Sequence, residues 1–125
     1  MSTRTNIPGT SPYEPIIGLS RAVRIGDHVH ISGTGPVGAD DADIVQQTEQ
    51  VLSIIAIALQ KAGSSFEHVY RTRIYLTRAE DWEAVARIHG RLFSTIRPAV
   101  TTLIVSGFVN PTWLVEIDAD AIIPS

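Results

Sequence analysis

The sequence predicts an α+β fold in which two helices cover one face of a mixed sheet, and three observations carry that expectation. Strand-like and helix-like segments follow one another in the order ββαβαββ. Each helix returns the chain to a strand, so both must lie against a common sheet. The strands alternate apolar with charged residues, as half-covered strands do.

Ala22–Ile25 and His28–Gly33 are extended runs joined by Gly26-Asp27, a two-residue hairpin connection in which Gly takes the positive φ of a type II′ turn. Thr34–Gly38, with Gly35-Pro36 and Gly38, reads as loop. From an Asp cap at position 41 or 43, the residues Ile44, Val51, Ile55, Ala58 and Ala62 recur at helical spacing until Gly63 stops them. Val69–Leu76 is rich in β-branched and aromatic residues and reads as a strand. Asp81 caps a second helix with Trp82, Val85, His89 and Leu92 on its apolar stripe, ending before Pro98. Val100–Val105 and Trp113–Ile123 are the last strands, separated by Gly107 and Asn110-Pro111.

No repeat or internal linker divides the 125 residues, so residues 1–125 are expected to form one domain, with 1–12 as an N-terminal arm. The polar start from Met1 to Thr10 lacks the apolar run of a secretory signal. The longest nearly uncharged apolar stretch, Val51–Leu59, is far below the roughly 20 residues of a membrane span, so no membrane role is expected. The absence of cysteine rules out disulfides and thiolate metal sites and fits a reducing compartment, so a cytoplasmic location is expected. With 10 Lys+Arg against 13 Asp+Glu, the chain has no basic field for a phosphate backbone, which argues against nucleic acid as a partner.

Period-two alternation assigns sides to the strands. Arg71, Arg73 and Tyr75 of one strand and Leu114, Glu116, Asp118 and Asp120 of another each lie opposite an apolar set, on the side of the sheet turned away from the helices. A sheet with helices on one side must cover the other, and a second copy of the chain is the simplest cover. An oligomer with charged pockets at its subunit contacts is expected.

Ser11-Pro12-Tyr13, His30-Ile31-Ser32-Gly33 followed by Pro36, Val69-Tyr70-Arg71-Thr72, Arg97-Pro98-Ala99 and Val115-Glu116-Ile117 occur in an order and spacing that resembles the reactive-intermediate deaminase family, also called Rid or YjgF. The likeness runs from about Ser11 to Ile122. It implies a chorismate-mutase-like fold, a homotrimer whose sheets form a central barrel, and ligand clefts between subunits. It also implies hydrolysis of imines or enamines such as 2-aminoacrylate, without metal or cofactor. Older labels for the family speak of endoribonuclease and translation-inhibitor activity, and a negatively charged chain without a basic stripe gives those little support.

One departure stands out. Deaminase members carry an arginine after the Pro-Ala pair to hold a substrate carboxylate, and this chain has Val100. A valine supplies neither the charge nor the two-pronged geometry of a guanidinium. Ala86 stands where the family has an asparagine. The sequence resembles a diverged branch whose ligand, a small molecule for which a carboxylate is one candidate, is held differently.

The resemblance makes Glu116 and Tyr13 the catalytic candidates, Glu116 to hold or activate the attacking water and Tyr13 to close the cleft. Imine hydrolysis needs an oriented water and a proton for nitrogen, and one carboxylate can serve either need. Ser32, Gly33 and Thr34 lie where the family contacts ligand, and position 100 is the altered anchor. Arg73 can replace that anchor or can pair with Glu116 or Asp118 across the sheet; both roles stand open. Glu116 can equally be a strand carboxylate tied to Arg73. Tyr13 can equally be an anchor for the N-terminal segment. His28 and His30 have ligand spacing but no third ligand nearby, so no metal site is expected. His89, on an apolar stripe, reads as a hydrogen-bonded core histidine.

Overall fold

In the computed structural model, which describes residues 3–125, a six-stranded sheet carries both helices on one face. The elements are β1 (Arg4–Ile7), β2 (Ala22–Ile25), β3 (His28–Thr34), α1 (Ile44–Lys61), β4 (Val69–Leu76), α2 (Trp82–Phe93), β5 (Ala99–Ile104) and β6 (Val115–Ile122). The sheet order is β1-β2-β3-β6-β4-β5, with β4 and β5 parallel and every other neighbouring pair antiparallel. β6 therefore lies between β3 and β4, and the last strand in sequence closes the centre of the sheet.

Within the segment expected as an N-terminal arm, the structure adds a strand that the sequence reading did not predict. Met1 and Ser2 lie outside the described residues, but Arg4–Ile7 pairs in register with β2 from Arg4↔Ile25 to Ile7↔Ala22. Its polar Arg-Thr-Asn start hides the strand from a reading based on apolar alternation, because an edge strand needs to bury little. Only Ile7 of its four residues is buried.

Local chemistry accounts for most boundaries. Gly26 takes φ +59° at the β2–β3 turn, which a β-carbon would strain. Asp43, rather than Asp41, caps α1, its Oδ1 accepting from the Gln46 amide at 2.8 Å. Asp41 itself has φ +64° and belongs to the turn before the cap. Asp81 stands at the start of α2, but its carboxylate is held by Arg78 (Nε–Oδ2 2.8 Å, Nη2–Oδ1 3.1 Å) and caps no amide. The buried face of α2 is Val85, Ile88, His89 and Phe93; Trp82 and Leu92, expected on it, are exposed.

The core between sheet and helices joins Val29 and Ile31 of β3, Ile74 and Leu76 of β4, and Val115, Ile117 and Ala119 of β6 to Val51, Ile55 and Leu59 of α1 and Val85 of α2. At about 25 cal/mol per Å² of apolar surface, each such aliphatic side chain contributes about 1.5–3 kcal/mol on burial. Gln47 is buried among them without leaving its polar atoms unpaired. Its Nε2 donates to Ala42 O (3.1 Å) and Thr112 O (3.0 Å), and its Oε1 accepts from Leu114 N (2.7 Å). This side chain ties α1 to the segment that leads into β6. No helix among the described residues is long and apolar enough to cross a membrane.

Candidate functional site

The helix-free face places the charged residues in rows. Pairing across β4 and β6 sets Tyr75 opposite Glu116, Arg73 opposite Asp118 and Arg71 opposite Asp120, and β3 adds His30 opposite Asp120. Arg73 Nη1 donates to Asp118 Oδ1 at 2.9 Å and to Asp120 Oδ2 at 3.3 Å. Tyr75 OH donates to the second Asp118 oxygen at 2.9 Å, and His30 Nδ1 lies 2.9 Å from Asp120 Oδ1. Burial first, and then the bond to Asp118, pushes the Tyr75 phenol above its ordinary value. Arg73 thus takes the structural pairing that the sequence left open, and it takes it with Asp118 and Asp120 rather than Glu116.

Glu116 has a different neighbourhood. Its carboxylate makes no hydrogen bond among the described residues and lies against Gly33, where a β-carbon would stand 3.1 Å from Oε1. Burial pushes the Glu116 carboxyl above the ordinary carboxylate value, and the Arg21 charge pulls against that shift. Arg21 reaches the same spot, with Nη2 donating to Gly33 O at 2.6 Å. Its Nε is buried with no hydrogen-bond partner among the described residues. Burial lowers the Arg21 guanidinium's affinity for its proton, while Glu116 and Glu14 oppose that effect.

The approach of Arg21, Gly33 and Glu116 depends on an irregularity in the ladder. The β3–β6 register shifts between Ile31 and Thr34, a bulge that carries Ser32 and Gly33. Ser32 Oγ donates to Ser20 O (2.7 Å), and Thr34, fully buried, donates to Ser32 O (2.8 Å). Both hydroxyls therefore brace the bulge. Gly33 is the member of the expected Ser32–Thr34 ligand set that the structure brings to Glu116.

Tyr13 is 58% exposed and lines a cavity of about 530 Å³ between the N-terminal segment and α1, a cavity that Arg21 also lines. Val100 lies on the edge strand β5 opposite Thr72, 46% exposed and away from the face that carries Glu116. Within one chain, then, Gly33 and Arg21 gather at Glu116, Tyr13 connects through Arg21's cavity, and Arg73 and Val100 stand apart. Sequence reasoning missed Arg21 because it lies just outside β2, which begins at Ala22 as expected, and is drawn to Glu116 by the bulge in β3. Extending the alternation back from Val23 puts Arg21 on the helix-free side.

The histidines divide. His89 Nε2 lies 2.9 Å from Thr72 Oγ1, its ring packs on Phe93 at 4.5 Å between centroids, and burial lowers its pKa. It is a core residue favouring the neutral form. The rings of His28 and His30 are 6.4 Å apart, and no cluster of three or more metal-ligating side chains occurs among the described residues.

Residues 10–123 match the model of the endoribonuclease L-PSP family. The chain belongs to that family. The crystal structure of Rv2704 from Mycobacterium tuberculosis, a member of the YjgF/YER057c/UK114 family, is similar with a TM-score of 0.90 and 42% identity, covering 96% of this chain and 99% of that one. The uncharacterized protein SCO2049 of Streptomyces coelicolor is 36% identical over 115 residues, 89% of this chain and 86% of its own. The RutC family protein PH0854 of Pyrococcus horikoshii is 30% identical over 113 residues, 86% and 89% of the two chains. The YjgF-like α+β fold and membership of the YjgF family, expected from the motifs, are both established by these likenesses.

Proposed function

We propose that this single-domain YjgF-family member is a cytoplasmic, cofactor-independent homotrimer that hydrolyses an imine, an enamine or a related small carbonyl derivative in clefts between subunits. The observation that carries this reading is Glu116: a half-buried carboxylate without a hydrogen-bond partner among the described residues, with its proton affinity raised by burial, facing a glycine. A strand carboxylate kept only for structure would be expected to hold a partner, as Asp118 and Asp120 do. A carboxyl whose pKa is raised holds a proton more readily and can both accept and return one.

The chemistry is an addition followed by an elimination. An enamine first tautomerises to its imine. Glu116 takes a proton from water as the water oxygen bonds to the C=N carbon and the C=N π electrons move to nitrogen. Glu116 then returns that proton to nitrogen, giving a carbinolamine. The hydroxyl proton then passes by way of Glu116 to nitrogen as the C–N bond breaks, so that nitrogen leaves as ammonia and the carbonyl product forms. Tyr13 offers an apolar wall with a polar tip at the edge of the site. Open apolar residues on the helix-free face, Ile25, Leu103 and Ile122, support its coverage by other subunits.

Imines released by an amino-acid oxidase provide the test, with ammonia and keto acid as readouts. Wild type should accelerate their hydrolysis, and Glu116→Gln should lower that acceleration by about 100-fold or more. A variant as active as wild type would remove Glu116 from the chemistry. Val100 favours a second reading, a trimer that binds a small ligand without turnover; binding without acceleration in the same assay would select it. RNA cleavage ranks last because the net charge is −3.

A further inference from the structure

Arg21 stands just before β2 and is tied to the strands on both sides of it. Its amide donates to Ile7 O at 2.9 Å, and its carbonyl accepts from the Ser32 amide at 3.0 Å. Its Nη2 then reaches one residue further along β3 and donates to Gly33 O at 2.6 Å. Backbone and side chain of one residue therefore hold both residues of the β3 bulge. The stem is confined as well. A β-carbon at Gly9 would stand 3.2 Å from Arg21 Cβ and 3.4 Å from Cδ, so the N-terminal segment closes against it.

The bulge presents Gly33 to Glu116. A β-carbon at Gly33 would meet Glu116 Oε1 at 3.1 Å and, chain neighbours aside, no other described atom within 4 Å. The guanidinium that holds Gly33 is also the positive charge that opposes the effect of burial on Glu116. Yet Arg21 and Glu116 make no ion pair among the described residues, so the charge acts without occupying the oxygens that must meet water. The other ionisable groups around the carboxyl are engaged elsewhere. Tyr75, opposite it on β4, donates to Asp118, which also accepts from Arg73. On β3, His30 pairs with Asp120, and in the N-terminal segment Glu14 accepts from the amides of Gly9 and Ser11.

We propose that Arg21 is a positioning residue for the reaction at Glu116: it holds the bulge that sets Gly33 against the carboxylate, and its charge favours the ionised carboxylate, the form that takes a proton from water. The inference rests on the reading of Glu116 as the reacting group and adds what prepares that group. Burial alone would keep the carboxyl protonated over a wider pH range, and a protonated carboxyl cannot accept the proton of the attacking water. A contact ion pair would instead cover its oxygens.

The test reads the ionisation of Glu116 in the full chain without substrate. Glutamate labelled with carbon-13 at Cδ gives a resonance for Glu116, assigned by its absence from Glu116→Gln, and its titration midpoint is compared between variants. Arg21→Gln should move the midpoint to higher pH, because burial is then unopposed, and Arg21→Lys, which keeps the charge, should lie nearer to wild type. Gly33→Ala stands at a backbone conformation open to alanine, adds a methyl against Oε1, and should also raise the midpoint. In imine hydrolysis, kcat of Arg21→Gln should fall about threefold or more at the acid end of the pH profile, with the deficit shrinking as pH rises. A role in folding alone would lower activity equally at every pH. The proposal is overturned if a folded Arg21→Gln titrates at the wild-type midpoint or below it, or, should that variant not fold, if Gly33→Ala does. A midpoint that moves as stated in a protein inactive on imines would remove the reaction and keep the coupling of Arg21 to Glu116, so the two readings fail separately.

Discussion

At Glu116 the backbone has done something a strand rarely does with a carboxylate: it has half-buried it beside a glycine and left its oxygens without donors among the described residues. The consequence for stability has a definite sign. A carboxyl whose folded-state pKa lies above its unfolded value of about 4.5 contributes fully below pH 4.5, and that contribution is lost as pH rises through the folded pKa. Glu116→Gln should therefore unfold at a higher temperature than wild type at pH 7, with the difference shrinking as pH falls below 4.5. Thermal unfolding across that range checks this; a difference that grows on acidification contradicts it. Legibility at this scale was uneven. The parity of β4 and β6 assigned Glu116, Asp118 and Arg73 to one face correctly. Which acid Arg73 chooses could not be read, since that depends on register: Arg73 faces Asp118, and Glu116 faces Tyr75. Arg21 escaped notice because its role comes from a bulge, which period-two reasoning does not contain.

Elements were more legible where periodicity and punctuation agree. Asp43, Gly63 and the apolar repeat between them define α1 from both ends, and Gly26 defines the first hairpin. Strand β1 was not legible, because an edge strand held by backbone pairing needs no apolar pattern. Gln47 was not either: a glutamine inside a helix reads as surface until the chain returns to it 65 residues later. Its three hydrogen bonds link α1 to the start of β6, and replacing them leaves the Leu114 amide and the Thr112 carbonyl without that partner. Gln47→Leu should lower the unfolding free energy by about 2–4 kcal/mol, more than one neutral hydrogen bond accounts for. Denaturant titration measures this, and a loss under about 0.5 kcal/mol would show that the tie is dispensable.

For the whole molecule, the sheet is asymmetric. One face is closed by α1 and α2, and the other presents a half-buried charge network bordered by Ile25, Leu103 and Ile122. Charges in such a network are costly to leave half-desolvated, and apolar residues at its border are costly to leave wet. Copies of the chain packed on this face, as proposed, would address both and would turn the charged rows into clefts. Sedimentation of wild type and Leu103→Asp at micromolar concentration tests this most directly. Wild type should run at three times its 13.6 kDa chain mass, and Leu103→Asp, changed at an exposed position on the border, should run as a folded single chain. Wild type sedimenting as a 13.6 kDa species would contradict the account.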